Sequence, residues 1–313
     1  MATALTSLHL KNVTSNGGYV GRFAPTPSGQ MHFGSLVTAL GSFLQAKSQN
    51  GRWLLRIEDI DPLREVAGAS GSILRCLEAH HLFWDHEVIY QSNRSDLYNE
   101  KIQYLTEQGF TYHCQCSRTQ LVNLKFGQTC VCAKQNLNNE NSAIRFRHHN
   151  IHQQFFDELL GQVNFPKLDI PAQFAIKRKD NLFAYQLAVV VDDIQQGITE
   201  VARGADLLDA TLFQLALYQA FDRPAPKFLH FPVVVTGPGK KLSKQNHACE
   251  INSNDARTNL TNALEFLGFL LPKELQRGST QNILNWALCE WDLRKIPAKT
   301  ECIDNRIGHA DSI

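Results

Sequence analysis

The sequence predicts an α/β fold on a parallel sheet, interrupted by a cysteine-bearing insertion and closed by a short helical region. Three observations carry that reading. Near the N-terminus a strand, a glycine-containing turn, a helix and a second strand follow one another, which is how a parallel α/β sheet opens. Residues 114–150 then change character, with four cysteines, many asparagines and few aliphatics. Finally, only residues 245–313 follow the last core strand and its loop, and Ala256–Leu267 among them has helical spacing.

Taken in order, Tyr19-Val-Gly-Arg-Phe23 is the first short strand. Pro25-Thr-Pro-Ser-Gly29 is a turn, because two prolines and a glycine disfavour regular structure. Leu36, Val37, Leu40, Phe43 and Leu44 recur at helical spacing, and Trp53-Leu-Leu-Arg-Ile57 is a second apolar strand. Ile73, Leu74 and Leu77, then Ile102 and Leu105, mark two further helices. Beyond the insertion, alternation over Phe174–Arg178, a turn at 179–181 and Leu182–Tyr185 predict a hairpin. Leu187–Val191 is a buried apolar run, Leu207–Phe221 is helical, and Phe231–Val235 is a core strand leading into the loop Gly237–Lys244. The divisions expected are 17–113 and 151–247 as two halves of one catalytic domain, 114–150 as the insertion, and 248–313 as a short helical region.

Composition narrows the class. The 313 residues are 43% hydrophobic and 19% charged, which suits a globular chain and excludes collagen-like and disordered ones. A net charge of +1 excludes a purely electrostatic nucleic-acid binder and leaves room for a local basic face. No apolar run approaches the ~20 residues of a membrane span, and the first sixteen residues lack a secretory pattern. A cytoplasmic monomer with no membrane partner is expected. In a reducing compartment cysteines serve as thiols or metal ligands, and Cys76, Cys249, Cys289 and Cys302 are read as small packing side chains.

Three constellations carry chemistry. Arg22-Phe-Ala-Pro-Thr-Pro-Ser-Gly-Gln-Met-His32-Phe-Gly-Ser35 runs from a strand through a turn into a helix, which presents backbone N–H groups to an anion. Ser28 and His32 fall where a phosphate would sit; the plain alternative is a tight turn with an incidental histidine. Lys240-Lys-Leu-Ser-Lys244 puts point charges suited to a polyphosphate in a glycine-rich loop, the alternative being a solvated basic loop. Cys114-Gln-Cys116 and Cys130-Val-Cys132 are two close pairs able to present four thiolates to one structural Zn²⁺ per chain. A redox disulfide and chance clustering are the alternatives there.

These segments together resemble the class I aminoacyl-tRNA synthetases. His32-Phe-Gly-Ser35 is similar to the first signature of that class and Lys241-Leu-Ser-Lys-Gln245 to the second. Leu55-Arg-Ile-Glu-Asp-Ile-Asp61, Phe183-Ala-Tyr185-Gln-Leu-Ala-Val-Val-Val-Asp-Asp193 and Val201-Ala-Arg203-Gly-Ala-Asp206 resemble the glutamate-specific branch, as does Arg22–Gly29. Ser35 departs from the pattern, where the signature often ends in histidine. The resemblance implies a Rossmann-like catalytic domain. It implies L-glutamate bound by Arg22, Phe23, Ala24, Pro25, Thr26, Glu58, Tyr185 and Arg203, and ATP with Mg²⁺ bound by Ser28, His32, Gly34, Lys241, Ser243 and Lys244. His32 and Lys244 would stabilise charge on the phosphates. The family's insertion can use three cysteines and a tyrosine; with no tyrosine between Cys116 and Cys132, Cys130 is the natural fourth ligand.

The charge pattern agrees with that substrate. Glutamate carries two carboxylates and one ammonium, which call for two guanidiniums and one acid. Arg22, Arg203 and Glu58 supply them, unless Arg22 and Glu58 merely pair with each other. The length resembles the truncated, zinc-containing branch of the family, whose members activate glutamate without tRNA and attach it to the queuosine base of tRNA(Asp). Arg145, Arg147, Lys177, Arg178, Lys179 and Lys227 are possible phosphate-backbone contacts. The rivals are a shortened enzyme charging the 3′ end of tRNA(Glu), a non-catalytic tRNA-binding paralogue, and a nucleotidyltransferase with another acceptor.

Overall fold

The computed structural model describes residues 18–122, 130–135, 137, 140–147, 153–165, 173–237 and 250–304. The chain opens with β1 (Val20–Phe23), α1 (Phe33–Ser48), β2 (Arg52–Ile57), α2 (Ala69–Ala79), β3 (Ile89–Tyr90) and α3 (Ser95–Glu107). A middle section follows, with β4 (Thr111–Cys114), α4 (Arg118–Val122), β5 (Ala143–Arg147), β6 (Gln154–Asp157), β7 (Gly161–Asn164) and β8 (Gln173–Lys177). The last section has α5 (Tyr185–Gln196), β9 (Glu200–Gly204), α6 (Ala210–Ala220), β10 (Lys227–Phe231), β11 (Val233–Val235), α7 (Ala256–Phe266), α8 (Thr280–Glu290) and β12 (Glu301–Ile303).

Two parallel units meet edge to edge. β1 pairs with β2 and β2 with β3, all parallel. β10 pairs in parallel with β6 and β9, and β7 adds an antiparallel edge beside β6. Thr199 joins the units: its N–H donates to Val20 O at 2.9 Å, and its Oγ1 accepts the Val20 N–H at 2.8 Å. β1 and β9 thus run side by side, and the crevice beyond their carboxyl ends is where open α/β sheets bind ligands.

The main core lies between this layer and α1, α7 and α8, with Leu36, Leu40, Leu44, Trp53, Phe231, Leu260 and Leu264 buried in it. Gly41 of α1 has a packing reason: a Cβ there would come within 2.8 Å of the Phe231 ring. A second cluster joins α3, α5 and α6 through Tyr98, Leu187, Val190 and Leu217. β4, β5 and β8 form an antiparallel sheet of their own, so the cysteine-bearing segment is an excursion between β4 and β5.

Three expected elements differ in detail. The hairpin after β8 is reduced to a single bridge between Lys177 and Phe183. Tyr185 opens α5 instead of ending a strand, because Leu187, Val190, Val191 and Ile194 then recur at helical spacing. The strand expected at 231–235 is split by Pro232, which has no N–H to donate; β10 ends before it and β11 pairs with β12. The helix expected from Leu207 begins at Ala210, after a 3₁₀ turn over Ala205–Leu207.

Candidate active site

The carboxyl ends of β1, β2, β9 and β10 surround a cavity of about 660 Å³. Every expected pocket residue among the described ones lines it. Arg22 and Phe23 close β1, and Ala24, Pro25 and Thr26 follow in the turn. Ser28, His32 and Gly34 lead into α1, Glu58 follows β2, Tyr185 starts α5, and Arg203 lies in β9. The turn is stitched to the β2 end by Glu58 N–H donating to Pro25 O at 3.0 Å. Lys241, Ser243 and Lys244 lie outside the described residues.

His32 is the N-cap of α1. Its extended backbone starts the helix, its Nδ1 accepts the Ser35 N–H at 3.3 Å, and its Nε2 lies 3.2 Å from Ser35 Oγ. Ser35, the departure from the signature, therefore holds the ring beside the helix N-terminus, where partial positive charge favours an anion.

Behind the cavity is a buried charge network. Arg22 donates from Nε and Nη2 to the two oxygens of Asp193, at 3.1 and 3.4 Å. Arg56 reaches Asp193 at 2.8 Å, Glu58 at 3.5 Å and Asp192 at 3.7 Å, with no exposed surface of its own. Asp192 also takes Arg94 at 2.6 Å and the Tyr98 hydroxyl at 2.8 Å. The alternative in which Arg22 pairs with Glu58 is thus not what forms: Arg22 goes to Asp193 and Glu58 to Arg56. Burial raises the Asp193 carboxyl, but Arg22 and Arg56 outweigh it and hold the pKa below the usual range. For Glu58 the balance is reversed: burial outweighs Arg56 and Arg22 and pushes the pKa up to about 7.

Arg203 is different. It is 4% exposed, and its described partners are all neutral groups. Nε donates to His230 Nε2 at 3.0 Å, Nη1 to the Tyr185 hydroxyl at 3.4 Å, and Nη2 to Thr211 Oγ1 at 2.8 Å. No described carboxylate forms an ion pair with it. Burial and the neighbouring Arg22 lower its pKa from the ordinary arginine value. A buried guanidinium in a cavity wall, with no described acid in ion-pair contact, is a site for an anion.

Asp193, Arg56, His230 and Asp157 were missed as site-forming residues. A signal existed for each pair: two aspartates close the apolar run at Leu187–Val191, and a histidine interrupts the apolar strand Phe228–Phe231. Polar residues at positions that pattern as core point to a function.

The cysteines converge as expected. The sulfurs of Cys114, Cys116, Cys130 and Cys132 all lie within 4.8 Å of one another. Cys114–Cys130 and Cys116–Cys132 are each 3.5 Å apart, and the Tyr112 hydroxyl is 3.4 Å from Cys130 Sγ. Thiolates bound tetrahedrally at about 2.3 Å sit about 3.8 Å apart, so the donor set fits a metal ion of that kind with all four positions filled by protein.

The basic residues are engaged with the protein. Arg145 donates to Gln173 O and Arg147 to Ala133 O, while Lys177 reaches Asn99 and Lys179 reaches Gln115 O. Arg178 pairs with Asp61 and Asp180, and Lys227 with Glu158. Among the described residues no helix is long and apolar enough to cross a membrane.

Comparison with known proteins places this geometry. The family described as tRNA synthetases class I (E and Q), catalytic domain, matches residues 19–286. A protein of Vibrio vulnificus named glutamyl-Q tRNA(Asp) synthetase is 47% identical over 283 residues, covering 90% of this chain and 93% of that one. One of the same name from Photobacterium profundum is 45% identical over 299 residues, covering 96% of each. The crystal structure of a glutamate-tRNA synthetase from Elizabethkingia anophelis superposes with a TM-score of 0.75 at 22% identity, covering 92% of this chain and 68% of that one, a likeness of fold.

Proposed function

This chain belongs to the family of class I tRNA synthetases of the E and Q type, and from that premise we propose that it activates L-glutamate with ATP, without tRNA, and transfers the glutamyl group to the queuosine base at the wobble position of tRNA(Asp). The observation that carries the substrate is Arg203, buried in the cavity wall with neutral partners only. A glutamate carboxylate supplies the missing counter-charge. Arg22 commits Nε and Nη2 to Asp193, which leaves Nη1 for a second carboxylate. Glu58 is the acid for the ammonium, and an ammonium beside it draws its pKa back down.

In the first half-reaction a carboxylate oxygen of glutamate attacks the α-phosphorus of ATP, forming the mixed anhydride and releasing pyrophosphate. Position and charge suffice for such a step. His32, held by Ser35 at the α1 N-terminus, and Lys244 stabilise charge on the phosphate oxygens. Mg²⁺ arriving with ATP neutralises part of the polyphosphate charge. In the second half-reaction a hydroxyl of the queuosine cyclopentenediol attacks the anhydride carbonyl and AMP leaves. The four-cysteine cluster holds a structural Zn²⁺ that ties the excursion between β4 and β5. The names of the relatives, matched along nearly their whole length, support this acceptor over the 3′ end of tRNA(Glu). The reaction has no membrane step, and we place it in the cytoplasm.

Pyrophosphate–ATP exchange tests the reading. Exchange dependent on glutamate, absent with aspartate or glutamine, and independent of tRNA is the expected result. Exchange that appears only with tRNA added would overturn it in favour of 3′-end charging. Loss of glutamate transfer when the tRNA lacks queuosine identifies the acceptor.

A further inference from the structure

We infer that Asp157 and His230 are positioning residues that set the guanidinium of Arg203 for its carboxylate ligand. Neither side chain lines the cavity, and both are wholly buried. Their geometry has a direction. Asp157 Oδ1 accepts the backbone N–H groups of Leu159 at 3.0 Å, Leu160 at 2.9 Å and His230 at 3.4 Å. Its Oδ2 is left facing His230 Nδ1 at 2.7 Å. An ionised carboxylate only accepts, so the imidazole proton sits on Nδ1 and Nε2 presents a lone pair. That lone pair accepts Arg203 Nε–H at 3.0 Å.

Burial holds the imidazole pKa down at about 4, with Asp157 working against the shift, so the ring is neutral and can accept. The ring is wedged between Phe155 and Phe228, at centroid distances of 5.9 and 6.3 Å, and the guanidinium lies 5.8 Å over Phe228. Thr211 Oγ1 takes Nη2 and the Tyr185 hydroxyl takes Nη1. Arginine has five donors. Three are occupied by neutral acceptors, which leaves two N–H groups for the forked grip of a carboxylate.

A dyad kept only for stability would have little reason to sit in an apolar strand, because burying polar groups costs free energy that apolar side chains avoid. Besides the Asp157 contacts, its polar output is Arg203 and the Thr211 hydroxyl, itself an Arg203 partner, 3.4 Å from Nε2. This inference rests on reading the cavity as the glutamate site.

The decisive variant is Asp157→Asn. Because one oxygen must accept three backbone N–H groups, the new amide nitrogen faces His230 Nδ1. The histidine then protonates on Nε2 and sets a donor against the Arg203 Nε–H, the same logic by which an asparagine imposes the wrong tautomer in a hydrolase triad. Expected in pyrophosphate exchange is a rise of about tenfold or more in KM for glutamate with KM for ATP unmoved. His230→Leu gives the same split, and His230→Gln, which keeps an acceptor and a donor, recovers part of the loss. Variants that leave glutamate KM at the wild-type value, or raise both KM values alike, overturn the inference. Should the variants not fold, ¹⁵N-histidine spectra of the wild-type protein at neutral pH decide: a buried neutral ring with its proton on Nδ1 is expected, and one protonated on Nε2 overturns it. Wild-type protein inert to glutamate would instead count against the function proposed above.

Discussion

Arg22 and Arg203 face the same cavity from adjacent parallel strands, are almost equally buried, and pattern alike in the sequence, yet the fold treats them oppositely. Arg22 is compensated: Asp193 takes two of its nitrogens and shares one oxygen, Oδ1, with Arg56. Arg203 forms no ion pair with a described acid and is held by a histidine, a tyrosine and a threonine. The β1–β2 wall therefore carries its own counter-charge for Arg22, whereas the β9–β10 wall holds no described acid within ion-pair distance of Arg203. A residue type announces that a carboxylate can bind; its partners decide whether the protein or the substrate provides it.

The contrast gives predictions, beginning with the largest. Asp193→Asn strips the shared counter-ion from two buried arginines, and urea denaturation should show about 3–5 kcal/mol of lost stability. A loss under about 1 kcal/mol would mean that the network is not the frame of that wall. Arg203→Leu should cost less stability, because no ion pair is broken. Its kcat/KM for glutamate should fall by at least about thirtyfold, the equivalent of about 2 kcal/mol. If the two variants behaved alike in both assays, the distinction between the walls would fail.

A third effect is on pH. Glu58 has a pKa near 7, above its ordinary 4.5, so its ionised form is disfavoured in the empty site. Sign matters here: from this group the free protein loses stability as pH rises from about 4.5 to 7, while an ammonium ligand prefers the ionised form. Glutamate affinity should strengthen as pH rises to about 7 and weaken by up to about tenfold per pH unit below it. Calorimetric titration at several pH values checks this, and proton release on binding below pH 7 should accompany it. Glu58→Gln should flatten the profile.

The cysteine cluster should matter least to activation. It stands on the separate antiparallel sheet of β4, β5 and β8 and contributes nothing to the cavity lining. Cys132→Ser should abolish metal content by elemental analysis while changing tRNA-independent exchange only a few-fold. A loss comparable to that of Arg203→Leu would show that the excursion supports the pocket.

Much of this site was legible in the chain. Arg22–Thr26, Ser28, His32, Gly34, Glu58, Tyr185 and Arg203 all fall at strand ends or helix starts, where apolar periodicity breaks, and the fold brings all of them to one cavity. The cysteine pairs were legible because short spacing alone brings their sulfurs close. Asp157, His230, Asp192 and Asp193 were legible only as polar residues beside or inside apolar runs, with nothing local to say what they meet. Their partners lie many residues away: Asp157 meets His230 and Arg22 meets Asp193 only when the sheet is assembled. Pro232 was likewise visible, but not that it moves Val233–Val235 into a pairing with Glu301–Ile303.

The sequence by itself determined the order of the main helices and strands around the cavity, the residue types at their ends and hence the class of ligand, because periodicity and local backbone preference are short-range. The tertiary structure decided which charge each arginine answers, why Glu58 titrates near neutrality, and which way the Arg203 fork faces. Those outcomes depend on desolvation and on distances between strands far apart in the chain. In a buried site, electrostatic energies follow from which groups meet, and that is settled only when the two parallel units close on each other.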